Sequence, residues 1–332
     1  VALTRELGLP DYRADQLRYW IYEKWATHLS EITVLPKDLR ETLGRNWYLS
    51  SLDLLERRRS QDGTEKFLWA ADDGETVESV FIPAEKRRTL CISSQAGCAM
   101  GCRFCHTAAI GLRRNLSAPE ILNQLIEVGR RIRPARITHV VYMGMGEPLR
   151  NLDAVIPSLE RVTSPRGLGM SKRRVTVSTS GYVPGIERLG REAPAVNLAV
   201  SLNAASDRVR DRLMPINRTY PLESLLSACR NFPLAPRRRI TFEYVLISGI
   251  NDRIEDARRL PGLLRGIPCK LNLIPINTAP DETLRPPPWE RVLAFQEVLA
   301  SAGMTATVRQ SRGGDIEAAC GQLRATREKG EG

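Results

Sequence analysis

Apolar residues recur with two different periods along this chain, and the change of period divides it. In YRADQLRYWIYEKW, Leu17, Trp20, Ile21 and Trp25 fall at helical spacing, which predicts an amphipathic helix whose tryptophans face a core. LPKDLRETL predicts a second helix after a break near Thr33. From about residue 52 to residue 90 the pattern shortens to KFLWAA and ETVESVFIP, β-favouring runs set off by Gln-Asp-Gly and Asp-Asp-Gly turns. Beyond Thr89 the strand-like runs LCIS, THVVYMG, RRVTVS, VNLAVSL, RITFEYVLI and CKLNLIP alternate with the helix-like stretches APEILNQLIEVGRRI, LDAVIPSLERV, PLESLLSACRNF and IEDARRLPGLLRG.

Six β-runs with intervening helices predict a parallel sheet built from right-handed crossovers. Six units are too few for an eight-stranded barrel, so the expected fold class is α/β with a partial (β/α)6 barrel. The expected organisation is a helical unit over 1–50, a β extension over 51–90, a core over 91–325 and a polar tail over 326–332. In such sheets ligands gather at the carboxyl ends of the strands. The chemically suggestive residues fall there: three cysteines after the first run, GMGEP after the second, residues 178–181 after the third and residues 201–203 after the fourth.

Those cysteines, Cys98, Cys102 and Cys105 in GCAMGCRFCHT, stand in a C-x3-C-x2-C spacing. Three thiolates are one fewer than a tetranuclear iron-sulfur cluster takes, which leaves one iron open to a small ligand and gives the site a way to pass an electron into it. A structural zinc loop and plain core cysteines are the alternatives. Zinc motifs usually come as two C-x2-C-type pairs, and no second pair stands in this chain. GMGEP lets backbone approach a ligand, and Glu147 can accept hydrogen bonds from an ammonium group. It does not match G-x-G-x-x-G, and no nucleotide-binding G-x4-G-K-[ST] motif occurs.

Composition narrows the partners. Lys and Arg number 49 against 38 Asp and Glu, a net charge of +11, with clusters at Arg57, Arg58 and Arg59, at Lys86, Arg87 and Arg88, at Arg113 and Arg114, at Arg130 and Arg131, at Lys172, Arg173 and Arg174, and at Arg237, Arg238 and Arg239. A polyanion is the expected partner, held by salt-sensitive phosphate contacts. Aromatics are only 6%, so recognition of a folded RNA by shape and backbone is expected over base stacking on a single-strand platform. The seven cysteines are an odd number, and no apolar signal segment or run of about 18 apolar residues is present. A reducing, cytoplasmic location without disulfide scaffolding or membrane attachment is expected.

The ordered motifs YRADQ, VESVFIP, TLCISSQAGCAMGCRFC, GLRRNL, YMGMGEPLRN, SKRRVTVSTSG, LAVSLNA, MPINRTYPL, EYVLISGIND, LNLIPIN and RGGDIEAACGQL carry a resemblance over most of the chain. The sequence resembles the radical S-adenosylmethionine RNA methyltransferases, specifically the bacterial dual-specificity adenine-C2 methyltransferases of 23S rRNA and tRNA. The resemblance implies that Cys98, Cys102 and Cys105 hold one 4Fe-4S cluster, and that two molecules of S-adenosyl-L-methionine are used per turnover. It implies that Cys320 carries a methyl group, that Cys91 resolves the resulting RNA adduct by pairing with Cys320, and that Glu78 is a general base. For contacts to S-adenosylmethionine it implies Gly146, Glu147, Ser178, Ser201, Leu202, Asn203 and Asn277. Partners implied are 23S rRNA, tRNA and an electron donor such as flavodoxin or ferredoxin.

Read without the resemblance, Glu78 is an exposed position of an alternating strand and Cys91 a buried strand thiol. Asn203 stands where the family commonly has His, which removes a proton-carrying group, and Ile276 replaces an aromatic. Cys229 and Cys269 match no family role and read as core. His106 beside the cysteines would close the open iron if it were a ligand, and His139 reads as an interior or rim residue. A C8-adenosine methyltransferase with the same machinery and a noncatalytic iron-sulfur RNA-binding protein are the rival functions.

Overall fold

The computed structural model describes residues 4, 6–193 and 195–325; the expected tail at 326–332 lies outside them. Among the described residues are twelve strands and ten α-helices longer than one turn. Helix α1 (Asp11–Tyr22) and helix α2 (Lys37–Asn46) close over a small cluster of Ala26, Leu29, Ile32, Leu35 and Leu43, against which Leu17 and Trp20 pack. Trp25 turns the other way. Its ring lies where a Cβ on Gly129 would be, 2.6 Å from that position, so it joins the helical unit to the rest of the molecule.

One ten-stranded sheet runs through the molecule, and the short strands β5 (Gln95–Gly97) and β6 (Leu112–Asn115) form a separate two-stranded sheet. Strands β1 (Leu52–Arg59), β2 (Glu65–Ala71), β3 (Thr76–Pro83) and β4 (Arg88–Cys91) are joined antiparallel. From β4 onward every pairing is parallel, through β7 (His139–Tyr142), β8 (Val175–Thr179), β9 (Asn197–Ser201), β10 (Ile240–Leu246), β11 (Cys269–Pro275) and β12 (Ala306–Val308). The six expected runs are therefore the first six parallel strands, and β12 is a seventh. Its three residues are too few to show a period in sequence. The antiparallel β1 was also hidden, because LDLLERRR reads as a charge cluster rather than as an edge strand. The sheet remains open, with β1 at one edge and β12 at the other, as a partial barrel requires.

The helices between these strands bury their apolar stripes on the sheet. The helix Ala118–Arg131 shows why the sequence folds this way. Ser117 accepts from Glu120 N–H while the Glu120 side chain accepts from Ser117 N–H, a capping box with Pro119 in the first turn. Ile121, Leu125 and Val128 on its inner face are fully buried. Along β10 the pleat sends Ile240, Phe242, Tyr244 and Leu246 into this core, and half-buried Thr241, Glu243 and Val245 to the opposite, concave face. That concave face carries the site.

Candidate active site

The cysteine loop follows β4 and is pinned on three sides. Cys98 N–H donates to Gly111 O at 3.0 Å, Arg103 N–H to Leu213 O at 3.1 Å and His106 N–H to Gly321 O at 2.7 Å. Cys98, Cys102 and Cys105 line one cavity of about 160 Å³ at the carboxyl ends of the parallel strands, together with Gly146, Glu147, Ser178, Ser201, Asn277 and Cys320. Burial pushes the Cys98 thiol up to about 12 and the Cys102 thiol well above its ordinary range, and Cys105 raises both further. Taking protons from such closely spaced, desolvated thiols calls for a compensating cation. Three soft sulfur donors lining one cavity suit an iron-sulfur cluster.

The GMGEP turn is fixed by close packing. A Cβ on Gly144 would lie 2.7 Å from the carbonyl of Ile92, and Gly146, at φ +96°, would place one 2.5 Å from Gln95 Cβ. Glu147 is buried, and desolvation raises its pKa against the hydrogen bonds it receives. Its Oε2 accepts from Ser180 N–H at 2.7 Å and Ser180 Oγ–H at 2.8 Å, and its Oε1 from Leu149 N–H at 3.1 Å.

Two of the expected ligand contacts lie behind the cavity wall. Leu202 is fully buried. Asn203 holds a left-handed backbone at φ +57°, its Oδ1 accepting from Val245 N–H at 2.8 Å and its Nδ2 donating to Met214 Sδ at 3.2 Å. The amide at this position is thus spent on the fold.

Cys320 reaches the cavity on a segment of irregular chain laid across the N-terminal strands and the cysteine loop. Asp315 accepts from Ser60 Oγ–H at 2.6 Å, Glu317 O from Lys66 Nζ at 3.3 Å, Leu323 O from Thr107 Oγ–H at 2.7 Å and Ala325 O from Thr76 Oγ–H at 2.8 Å. Asn277 Nδ2 donates to Cys320 O at 3.3 Å. Cys320 is solvent-exposed as a residue, but its thiol sits in the recess, where desolvation and then the Glu243 charge raise its pKa. Cys91, half-buried on β4, is raised first by burial and next by Cys320, which places the two thiols within electrostatic reach. All seven cysteines are free.

Glu78 departs from the exposed position that strand alternation suggests. It is 2% exposed, because β3 is covered on both faces and the Cys320 segment closes over it. Lys66 Nζ lies 3.1 Å from Oε1, and Arg324 N–H donates to Oε2 at 2.9 Å. Cys229 is buried core, while Cys269 is half-buried at a strand start. His106 Nε2 lies 3.3 Å from Thr278 O, and His139 Nδ1 2.9 Å from Thr138 Oγ1; neither lines the cavity.

Sequence reasoning missed Glu243 and Arg210, and gave Ser180 only within the run 178–181 without a role. Glu243 lines the cavity from β10, and its only sequence signal is a carboxylate at an inward position of an alternating strand. Fully buried Arg210 donates to Ser180 O, Ser201 O and Leu202 O, tying two strand ends together. The basic clusters are largely neutralised or displaced from the cavity. Arg57 pairs with Glu65, Arg114 with Asp73 and Glu120, and Arg130 and Arg131 with Glu127, while the clusters before β4, β8 and β10 lie at the opposite ends of those strands.

Comparison with known proteins agrees with this geometry. Residues 92–260 match the radical SAM superfamily, and residues 2–49 match the ribosomal RNA large subunit methyltransferase N-terminal domain. The chain is 52% identical over 330 residues to the dual-specificity RNA methyltransferase RlmN of Anaeromyxobacter sp. (strain Fw109-5), covering 97% of this chain and 87% of that protein. It is also 52% identical over 317 residues to the protein of that name from Geobacter sulfurreducens, covering 96% and 87%. A crystal structure of a radical SAM methyltransferase from Sphaerobacter thermophilus superposes with a TM-score of 0.94 at 44% identity, covering 98% of this chain and 96% of that one. With its own cysteine-lined cavity and full-length likeness to these proteins, the chain belongs to the RlmN family of radical SAM dual-specificity RNA methyltransferases.

Proposed function

We propose that this chain methylates C2 of an adenosine in 23S rRNA and in tRNA, with Cys320 carrying the methyl group to the base. The observation that supports this most directly is the meeting of Cys320 and the three loop cysteines in one cavity, with Cys91 close by. Adenine C2 has a hydrogen and no nucleophilic lone pair, so displacement at a methyl sulfonium cannot alkylate it and a radical route is needed. Cys98, Cys102 and Cys105 would hold a 4Fe-4S cluster, which would supply one-electron reductive chemistry on S-adenosyl-L-methionine.

The chain's own residues do the rest. Gly146, Glu147, Ser178, Ser201 and Asn277 hold the cofactor, with Ser180 fixing the Glu147 carboxylate for an ammonium group; Leu202 and Asn203 support that wall from behind. Cys320 presents the sulfur that takes the methyl group, and thiolate chemistry suits the transfer. Cys91 then attacks Cys320 to release the adduct as a transient disulfide. Glu78 takes the C2 proton, a role that requires the segment over it to shift, since Lys66 and Arg324 N–H occupy its carboxylate. Two equivalents of S-adenosyl-L-methionine are consumed, one for the methyl and one for activation. The helical unit over 1–50 engages RNA, 51–90 links it to the core over 91–325, and a flavodoxin or ferredoxin supplies the electrons.

The order of events sets the test. Cys320→Ala should form neither protein-bound methyl nor methylated RNA, while Cys91→Ala should trap RNA covalently as a nuclease-sensitive slower band in electrophoresis. Normal turnover by Cys91→Ala would overturn these roles. Mass spectrometry of digested substrate RNA identifies 2-methyladenosine, and 8-methyladenosine in its place would select the rival regiochemistry.

A further inference from the structure

Two carboxylates line the cavity, Glu147 and Glu243. Glu147 is filled by three hydrogen bonds, whereas Oε1 of Glu243 is buried and makes none. Asn272, its register partner on β11, lies beside the carboxylate and favours its ionised form. Arg309, just past β12, comes to 3.7 Å from Oε1, an ion-pair distance too long for a hydrogen bond. The other ionisable groups that act on this position are Lys270 on β11, Cys91 on β4 and Cys320. A buried acceptor without a donor is unfavourable, and it faces the cavity that holds the thiol.

We propose that Glu243 receives the thiol proton of Cys320 when that sulfur accepts a methyl group. This rests on Cys320 being the methyl acceptor. The nucleophile must be the thiolate, and the recess around Cys320 disfavours a thiolate whose proton has to leave for bulk water past a bound ligand. In the step proposed, the S–H bond of Cys320 breaks and an O–H bond forms at Glu243 Oε1. The freed sulfur pair forms the S–CH3 bond, and the broken sulfonium–methyl bond leaves its electron pair on the donor, which departs as a neutral thioether. No redox partner is consumed. The negative charge moves from carboxylate to sulfur beside Arg309, so the charge of the cluster is conserved until the methyl arrives.

The test compares reconstituted holoprotein of the wild type, Glu243→Gln and Glu243→Asp by two readouts of opposite expected sign. With methyl-deuterated S-adenosyl-L-methionine, mass analysis of the Cys320 peptide should show transfer slowed about 100-fold in Glu243→Gln, with partial recovery in Glu243→Asp. Without S-adenosyl-L-methionine, iodoacetamide alkylation of Cys320 followed against pH should shift its midpoint downward in Glu243→Gln, because the neighbouring negative charge is gone. A group with only a structural role would not slow one reaction and ease the other. Equal methyl transfer in Glu243→Gln, or an unmoved alkylation midpoint, overturns the proposal while leaving Cys320 as acceptor. Absence of methyl on Cys320 in the wild type overturns both.

Discussion

Replacing Arg210 with Met tests whether the cavity wall is held by a buried cation. Arg210 is fully buried, and desolvation lowers its pKa to about 10. Its guanidinium donates to Ser180 O at 2.7 Å, Ser201 O and Leu202 O at 3.0 Å, and Asn217 Oδ1 at 2.9 Å. In Arg210→Met, Leu202 O keeps the Ala204 N–H at 2.9 Å, but Ser180 O, Ser201 O and Asn217 Oδ1 lose this donor, and Asp207 and Asp211 lose a countercharge. Each buried acceptor left unpaired costs about 1–3 kcal/mol, offset in part because no guanidinium is desolvated, so a net loss of about 3 kcal/mol is expected. With an unfolding entropy of about 0.7 kcal/mol/K for 332 residues, the melting temperature should fall by about 4 °C. Calorimetry of the reconstituted protein reads this directly. Arg210→Lys, which keeps charge but not the planar fork, should recover only part of the loss. A melting temperature within about 1 °C of wild type for Arg210→Met would refute the reasoning.

Cys102→Ala should lose most of its iron after anaerobic reconstitution and form no 5'-deoxyadenosine; undiminished cleavage would overturn the cluster assignment. RNA affinity should fall steeply with salt, and Arg45→Ala, in the groove between the helical unit and β1, should lower the slope of log K against log salt by about one; an unchanged slope would remove Arg45 from the RNA surface. For Asp62, burial works against ionisation, but hydrogen bonds from Thr64 and Gly313 bring its pKa down to about 2. A depressed carboxyl stabilises the fold above its unfolded pKa and loses that contribution as pH falls, so the contact between Asp62 and Gly313 should weaken between about pH 4 and pH 2. Hydrogen exchange at Gly313 should rise there, and Asp62→Asn should abolish the dependence.

The cysteine loop and the GMGEP turn were legible because their chemistry sits on short, locally determined motifs, and the six core strands because their apolar runs are long enough to show a period. Charge was a poorer guide. The clusters containing Arg57 and Arg114 read as RNA surfaces until Glu65 folds against the first and Asp73 and Glu120 against the second. Glu78 was misread by alternation because its second face is covered by a segment some 246 positions away. Asn203 carries no sign in sequence that its amide would be consumed by Val245 and Met214. What periodicity cannot report is which distant loop completes a surface.

The segment that delivers Cys320 has a consequence for how the protein is made. Its anchors span 255 residues from Ser60 to Asp315, 251 from Lys66 to Glu317 and 249 from Thr76 to Ala325, so they are among the least local contacts in the chain. Contacts of such sequence separation form late, after the intervening loop has been shortened by folding. On a ribosome the β extension and cysteine loop emerge long before their partner. The Cys320 thiol is therefore seated only once the whole sheet exists, and under the proposed function a nascent or truncated chain that already holds its cysteine loop lacks the sulfur that would carry the methyl group.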